Sequence, residues 1–524
     1  MLELDLVRPS STLLVLESAT KQPPHGFAAN FSIPDFGLDS AGFETAASTR
    51  PWLLEFPSLQ VVERYRSSGR GPSPGGTSDQ RWRYPVTNLF HGPAHNATFH
   101  RGPAGQQMLN ARGLSMDPGP AGTTYVARHI IDPYFGVYGL LSNHTLVDDV
   151  TLLSAAGMGF RFDFCGGLTR LRRAAVLKGV YANGTQRPFS ISADAVHFIS
   201  STGTVEVLDS RFEGQGDDGF NVHGQWEKID ALRDDGSVEF KPGWASVLPH
   251  SPPGSRFRFR NPRTLVTTAD VVLAYVNASR PNAVEAGFDG DMTAVAVGDM
   301  FISMDATPTV TLQNSSWSEC RCRGAVISTG RSPVAIRACR YEQIAAAAVL
   351  MLDGLPGDTY REGPFTQHLV VTNSTFVLNP HGFNKYHTTG AAGHAQGQGV
   401  IDVGAVAVVA GQDPKRWNSG AMYRGPLTPF GSVVVTNNVF DMGGTSDDGG
   451  RVSPLPRAAV HVGTVHTVSM RDNTILYPPG ATVKYDICAY NCSSVDVGTS
   501  CGSSRPCKTS TSPFCAAVPD PISH

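Results

Sequence analysis

The chain has 524 residues, with 42 Lys and Arg against 45 Asp and Glu, a formal net charge of -3 and no basic run, so neither nucleic acid nor an anionic membrane is an implied partner. Its 55 Gly and 37 Pro beside only 17% charged residues argue against a helical protein and for a turn-rich one, and the length suits one large β architecture or two to three ordinary domains. No stretch approaches the ~20 apolar residues of a membrane span, so no membrane span is expected.

Residues 1–120 are rich in Pro, Gly, Ser and aromatics, follow no repeat, and read as an N-terminal β-rich cap. The opening Met1-Leu2-Glu3-Leu4-Asp5 carries acids where a signal peptide wants bases, so no export signal is visible and the true start has been lost or never carried one. From 121 to 480 a degenerate repeat recurs: apolar-x-apolar-x-[Asn/Asp]-x-x-[aromatic/apolar]. Its copies are Val205-x-Val207-x-Asp209-x-x-Phe212, Val310-x-Leu312-x-Asn314-x-x-Trp317 and Val334-x-Ile336-x-Ala338-x-x-Tyr341. Further copies start at Leu369, Val433 and Val468, with weaker ones at Val150 and Thr169. Short strands at this period with no helical segments between them predict an all-β chain, a parallel β-helix whose coils pair with the turns above and below. The competing β-sandwich needs Asn-Gly or Asp-Gly hairpin signals, which are scarce.

Two stretches break the repeat. Residues 225–297 alternate like short hairpins (Ser237-Val238-Glu239-Phe240, Arg256-Phe257-Arg258-Phe259) and predict a small inserted, barrel-like β-module. Residues 381–425 read as a long loop followed by an apolar strand at 400–409, and 481–524 as a Cys-rich tail outside the helix.

Eight Asn-x-Ser/Thr sequons (Asn30, Asn96, Asn143, Asn183, Asn277, Asn314, Asn373, Asn491) and five cysteines crowded at 488, 492, 501, 507 and 515 favour a secreted or lumenal, disulfide-bonded glycoprotein. No C-x2-C pair marks a metal site, so no metal or other cofactor is expected. Cys165, Cys320, Cys322 and Cys339 read as core residues, with a bridge among the last three left open.

Chemistry concentrates at Asp194, Asp217 and Asp218. A carboxylate followed one strand-and-turn later by a carboxylate pair gathers like charges, which chains tolerate where repulsion tunes protonation. Asp-Asp-Gly also makes an ordinary solvated turn, as Asp234-Asp235-Gly236 does among polar residues. In a β-helix Asp194 falls on the coil next to the pair, with backbones about 5 Å apart. Side-chain offsets then allow the ~6.5–9.5 Å separation that holds a water between acid and base in inverting glycosidases. The residues alone do not say which Asp is the acid. His223, Asn221, Arg323 and Glu362 are the candidates for binding substrate, each open to a purely structural role. Alternation counted from Asp194 puts His197 on the opposite face, as buried structure.

The segment 121–224 and the insertion after it resemble glycoside hydrolase family 110, exo-acting α-galactosidases built on a right-handed parallel β-helix of the pectin-lyase-like kind. The resemblance rests on Gly157-Met158-Gly159-Phe160, Ala193-Asp194 with His197-Phe198, Asp217-Asp218, Asn221-Val222-His223-Gly224, Arg323-Gly324 and Arg361-Glu362-Gly363-Pro364, and spans about 121–480. It implies removal of α-linked galactose, with α-1,3 linkages the family's own, by one-step inversion on a galactoside or galactan. By resemblance Asp217 is the general acid, while Asp194 and Asp218 orient and deprotonate the water. The segment Phe162-Asp163-Phe164 departs from the family pattern, and the first 120 residues and the tail have no counterpart. The rival readings are a polygalacturonase-type hydrolase, a β-helical polysaccharide lyase, and a non-catalytic carbohydrate-binding β-helix.

Overall fold

A computed structural model describes most of residues 135–377, together with 399–408, 427–442, 458–477 and 486–498, and the backbone of a few strands beyond them. The repeat folds as its period requires. Val205 pairs in parallel with Val310, Val310 with Val334, Val334 with Leu369, Leu369 with Val433 and Val433 with Val468. Among the described residues there is no α-helix; the chain is a parallel β-helix with strands stacked coil upon coil.

Each part of the repeat has a physical task. The two apolar positions point into the prism, as with Val205 and Val207, 1% and 0% exposed. The Asn or Asp turns the chain through a left-handed conformation: φ is 52° at Asp209, 49° at Asn314, 54° at Asn373, 56° at Asn437 and 55° at Asp472. These side chains tolerate that region better than other non-glycine residues. The same bend explains Asn at two sequons, Asn314 and Asn373, without a glycan. The residue after the bend points inward and caps the neighbouring coil. Ser210 N–H donates to Ser315 Oγ at 3.1 Å, Ser374 N–H to Asn438 Oδ1 at 2.8 Å and Asn438 N–H to Asn473 Oδ1 at 3.0 Å, so the buried polar groups are satisfied. The aromatic position builds a stack: Phe212, Trp317, Tyr341, Phe376 and Phe440 lie at successive centroid spacings of 5.4, 5.0, 5.3 and 4.8 Å.

A second wall carries the chemistry. Its strands are β1 (Met158–Asp163), β2 (Val196–Ile199), β3 (Phe220–Gln225), β4 (Ala325–Ile327) and β5 (Val349–Asp353), all parallel. Phe160, Phe162, Val196, Phe198, Phe220 and Val222 fill the prism. Arg161, Asp163, His197, Asn221 and His223 point the other way and are nevertheless buried.

After β3 the chain leaves the helix and forms a seven-stranded antiparallel sheet from Glu227 to Ser303 around Phe240, Phe257, Phe259 and Phe301. The expected end at 297 falls short of its last strand, Met300–Ser303, because Phe301 sits at the centre of that cluster. The sheet rests against the helix through the His250 ring, 4.4 Å from Phe164, and the Arg260 guanidinium, 4.7 Å from the Phe365 centroid.

Two other expectations are corrected. The helix does not stop near 480: Ile487–Tyr490 pairs in parallel with Val460–Gly463, and Ser494–Cys501 with the strand at 465–476. The alternation there is short, confined to Ser494-Val495-Asp496-Val497, and is flanked by the Ser, Cys and Gly that read as a tail. No disulfide joins Cys320, Cys322 and Cys339. Cys320 Sγ instead lies 2.9 Å from Asp217 O and 3.1 Å from Arg323 O, pinning a bend. At the other end, Leu2–Asp5 and Leu14–Glu17 pair in parallel with 150–154 and 137–140, while the side chains of the proposed cap and the loop 381–398 lie outside the described residues.

Candidate active site

The bend preceding each strand of this wall sets the site. Gly159 N–H donates to Asp194 O at 2.9 Å, Ala195 N–H to Asp218 O at 2.9 Å and Gly219 N–H to Arg323 O at 2.8 Å. Asp194, Asp218 and Arg323 therefore occupy one position on three successive coils. Asp217 starts a parallel column, its N–H on Ala193 O at 3.2 Å, with Cys322 on the coil above. The Asp-Asp-Gly here is not an ordinary turn. A Cβ at Gly219 would meet Trp317 at 2.4 Å and Gly324 O at 2.5 Å, so glycine is needed for close packing against the aromatic stack. Gly236, in the solvated Asp234-Asp235-Gly236 turn, has φ 83° and open space around it.

Each carboxylate has a distinct environment. Asp218 is buried and held by Arg323, with Nε to Oδ1 at 2.6 Å, Nη2 to Oδ2 at 2.5 Å and the Arg323 backbone N–H to Oδ1 at 3.1 Å. Burial pushes the Asp218 carboxyl up while the Arg323 guanidinium pulls it down. The net push is upward, burial outweighing the guanidinium, while the bidentate, charge-assisted pair favours the ionised form. Asp194 is buried; its Oδ1 accepts the Asp218 N–H at 3.1 Å, and its Oδ2 lies 2.7 Å from His197 Nδ1. Burial, followed by the Asp218 and Asp217 charges, pushes the Asp194 carboxyl well above the usual carboxylate range. Asp217 is the most open of the three, half-buried.

The polar candidates cluster with them. Asn221 Nδ2 donates to Glu362 Oε1 at 3.3 Å, and Glu362 Oε1 is 3.6 Å from His223 Nε2. Glu362 arrives on β6 (Glu362–Gly363), which pairs antiparallel with the end of β3. Arg323 stands in the site as the partner of Asp218. His197 was misplaced by sequence reasoning. Asp194 lies in the bend before β2, so the face count starts at Val196, and His197 projects outward onto Asp194 and onto His223, whose Nε2 is 2.9 Å from His197 Nε2. One coil below, Asp163 accepts from Arg161 Nε at 2.9 Å and from Tyr138 OH at 3.1 Å, and the Arg161 guanidinium lies 4.7 Å from the Phe135 centroid. One carboxylate oxygen each of Asp217 and Asp218 and the Cys322 sulfur lie within 4.8 Å of one another. They do not suit a cation, because Arg323 already occupies both Asp218 oxygens.

No family model matches the chain. It is 26% identical over 272 residues to alpha-1,3-galactosidase B of Akkermansia muciniphila, covering 49% of this chain and 32% of that protein. It is 27% identical over 263 residues to alpha-1,3-galactosidase A of Bacteroides fragilis (49% and 42% covered). With an alpha-1,3-galactosidase B of Phocaeicola vulgatus it shares 32% identity over 245 residues (45% and 38% covered). The chain thus spans less than half the length of these relatives. They bear out the resemblance to glycoside hydrolase family 110 at the level of sequence. Among solved structures, the Streptococcus pneumoniae surface adhesin PfbA gives a TM-score of 0.24 at 10% identity, covering 70% of this chain and 74% of that one, too distant to bear on the site.

Proposed function

We propose that this chain is a glycosidase that removes terminal α-linked galactose from a glycan, at α-1,3 linkages, in a single inverting displacement without a cofactor. The observation that carries the reading is the gathering of three carboxyls with three different environments in one cluster. Similarity to proteins named alpha-1,3-galactosidase supports the sugar and the linkage. In this reading Asp217, at the open side, protonates the glycosidic oxygen. One carboxylate oxygen of Asp218 lies within 4.8 Å of one of Asp217, and both Asp218 oxygens are held by Arg323. Its part is that of a fixed charge that orients the water and stabilises the cationic transition state. The base is then Asp194, one coil away. Glu362, the more exposed of the polar candidates, binds sugar hydroxyls, with Asn221 and His223 buried behind it. The test is a panel of p-nitrophenyl α- and β-glycosides, followed by NMR of the first-formed anomer from an α-1,3-linked galactoside. Release of β-galactose is expected. An α-anomer as the first product would remove the inverting mechanism, and an unsaturated product would replace hydrolysis by elimination.

A further inference from the structure

Asp194, His197 and His223 form a chain of three short contacts ending on a backbone carbonyl. His223 Nδ1 is 2.7 Å from Gly224 O, His223 Nε2 is 2.9 Å from His197 Nε2, and His197 Nδ1 is 2.7 Å from Asp194 Oδ2, although that carboxylate lies off the axis of the ring N–H. A carbonyl only accepts, so Nδ1 of His223 carries a proton. Each remaining contact also needs one, since two lone pairs at such separations repel. Three contacts take three protons, whereas two neutral imidazoles and a carboxylate supply two. The triplet therefore holds one proton more than its groups bring when Asp194 is ionised and both rings are neutral.

That proton has two resting places that keep every contact intact. In one, Asp194 is a neutral acid, His197 carries its proton on Nε2 and His223 is neutral. In the other, the Asp194 proton has passed to His197 Nδ1 while the His197 Nε2 proton has passed to His223, leaving Asp194 ionised and His223 a cation beside Glu362, 3.6 Å away. Resting on the glycosidase reading above, we propose that His197 and His223 relay a proton from Asp194 to the edge of the site at Glu362, so that Asp194 is ionised when the water attacks. His197 changes tautomer and never holds a charge. Its burial, with His223, Arg161 and Arg323 around it, pushes the imidazolium well below the ordinary histidine range, as a relay of this kind requires. Without the relay, burial and the Asp218 and Asp217 charges would keep Asp194 protonated, with only the Asp218 N–H and Arg323 opposing them. In turnover the O–H bond of the water breaks and its proton lands on Asp194, Asp217 gives its own to the leaving oxygen, the surplus proton leaves from His223 by way of Glu362, the more exposed of the two, and Asp217 takes a proton back from solvent. His197 is thus a positioning residue that acts through Asp194.

Two measurements on the full chain test this. In His197→Phe the acid limb of the kcat/KM pH profile should move to higher pH by about one unit or more, with a drop of at least about tenfold on the acid side that recovers toward alkaline pH. Glu362→Gln, which leaves the Asp194–His197 contact in place, should shift the same limb the same way by less, and serves if the Phe variant does not fold. A loss uniform across pH in both variants, or no shift, would overturn the relay in favour of a structural role. Independently of activity, 15N NMR of the histidine-labelled protein should show His223 with both ring nitrogens protonated and His197 as the Nδ1–H tautomer at neutral pH. A His223 protonated only on Nδ1 would overturn the relay. A wild-type chain inactive on every galactoside would remove the glycosidase reading while the NMR result stood by itself.

Discussion

At the scale of single residues, the three aspartates differ in what their loss should do. Asp217→Asn should lower hydrolysis of substrates with poor leaving groups by at least about 10²-fold while sparing activated aryl glycosides, because a good leaving group needs no proton; steady-state rates on the two substrate types check this. Asp218→Asn removes the partner of a buried guanidinium and should destabilise the protein by about 3–5 kcal/mol, measurable by denaturant unfolding. Asp218 and Asp194 are buried, 1% and 5% exposed, so their side chains do not stand free in solvent. The relation of Asp194 to the pair was legible because it is a matter of period: 24 residues make one coil. The relation of His197 to Asp194 was not, because face-counting works only inside a strand and Asp194 lies in a bend.

At the scale of elements, two devices make sharp predictions. The aromatic stack buries Tyr341 with its hydroxyl unpaired, wedged between Trp317 and Phe376. Tyr341→Phe removes a polar group that burial penalises and keeps the ring, so it should stabilise the protein by about 1 kcal/mol in thermal or denaturant unfolding. In the inserted sheet, Glu227 is buried, with Oε2 accepting the Gly243 N–H at 3.0 Å and Oε1 without a partner. Burial pushes its carboxyl up from 4.5 to about 7, against the opposing hydrogen bonds and Arg361. The folded state therefore holds this proton more tightly than the unfolded chain. The stability it contributes is full below pH 4.5 and is lost as pH rises through about 7. Glu227→Gln should flatten that dependence and raise stability above neutral pH by up to about 3 kcal/mol, read from unfolding at a series of pH values.

At the scale of the whole molecule, stacked coils contact chiefly their neighbours, so damage to one should spread along the axis. Trp317 lies between Phe212 and Tyr341 in the stack and against Gly219, which follows Asp218. Trp317→Ala should cost about 3–5 kcal/mol. Hydrogen exchange should speed up most in the coils that carry Asp218 and Arg323, and far less at 460–475; equal acceleration throughout would show the helix opening as one unit.

The sequence by itself determined the parallel β-helix, because strand period, inward apolar positions and the Asn or Asp bend are local properties that recur with every coil. It also brought Asp194 beside Asp217 and Asp218, since stacking converts one period into one lateral step. It did not determine where the helix ends, because the alternation of Ser494-Val495-Asp496-Val497 is too short to stand out from the Cys- and Ser-rich tail, and only pairing with the coil before reveals the strand. Nor did it determine the Arg323 clamp on Asp218 or the path from Asp194 through His197 to His223. Those contacts depend on side-chain direction at bends and on an insertion that separates Asp218 from Arg323 by 105 residues in the chain while leaving them on adjacent coils. Distance along the chain carries no information about such neighbours; the stacking of the coils supplies it.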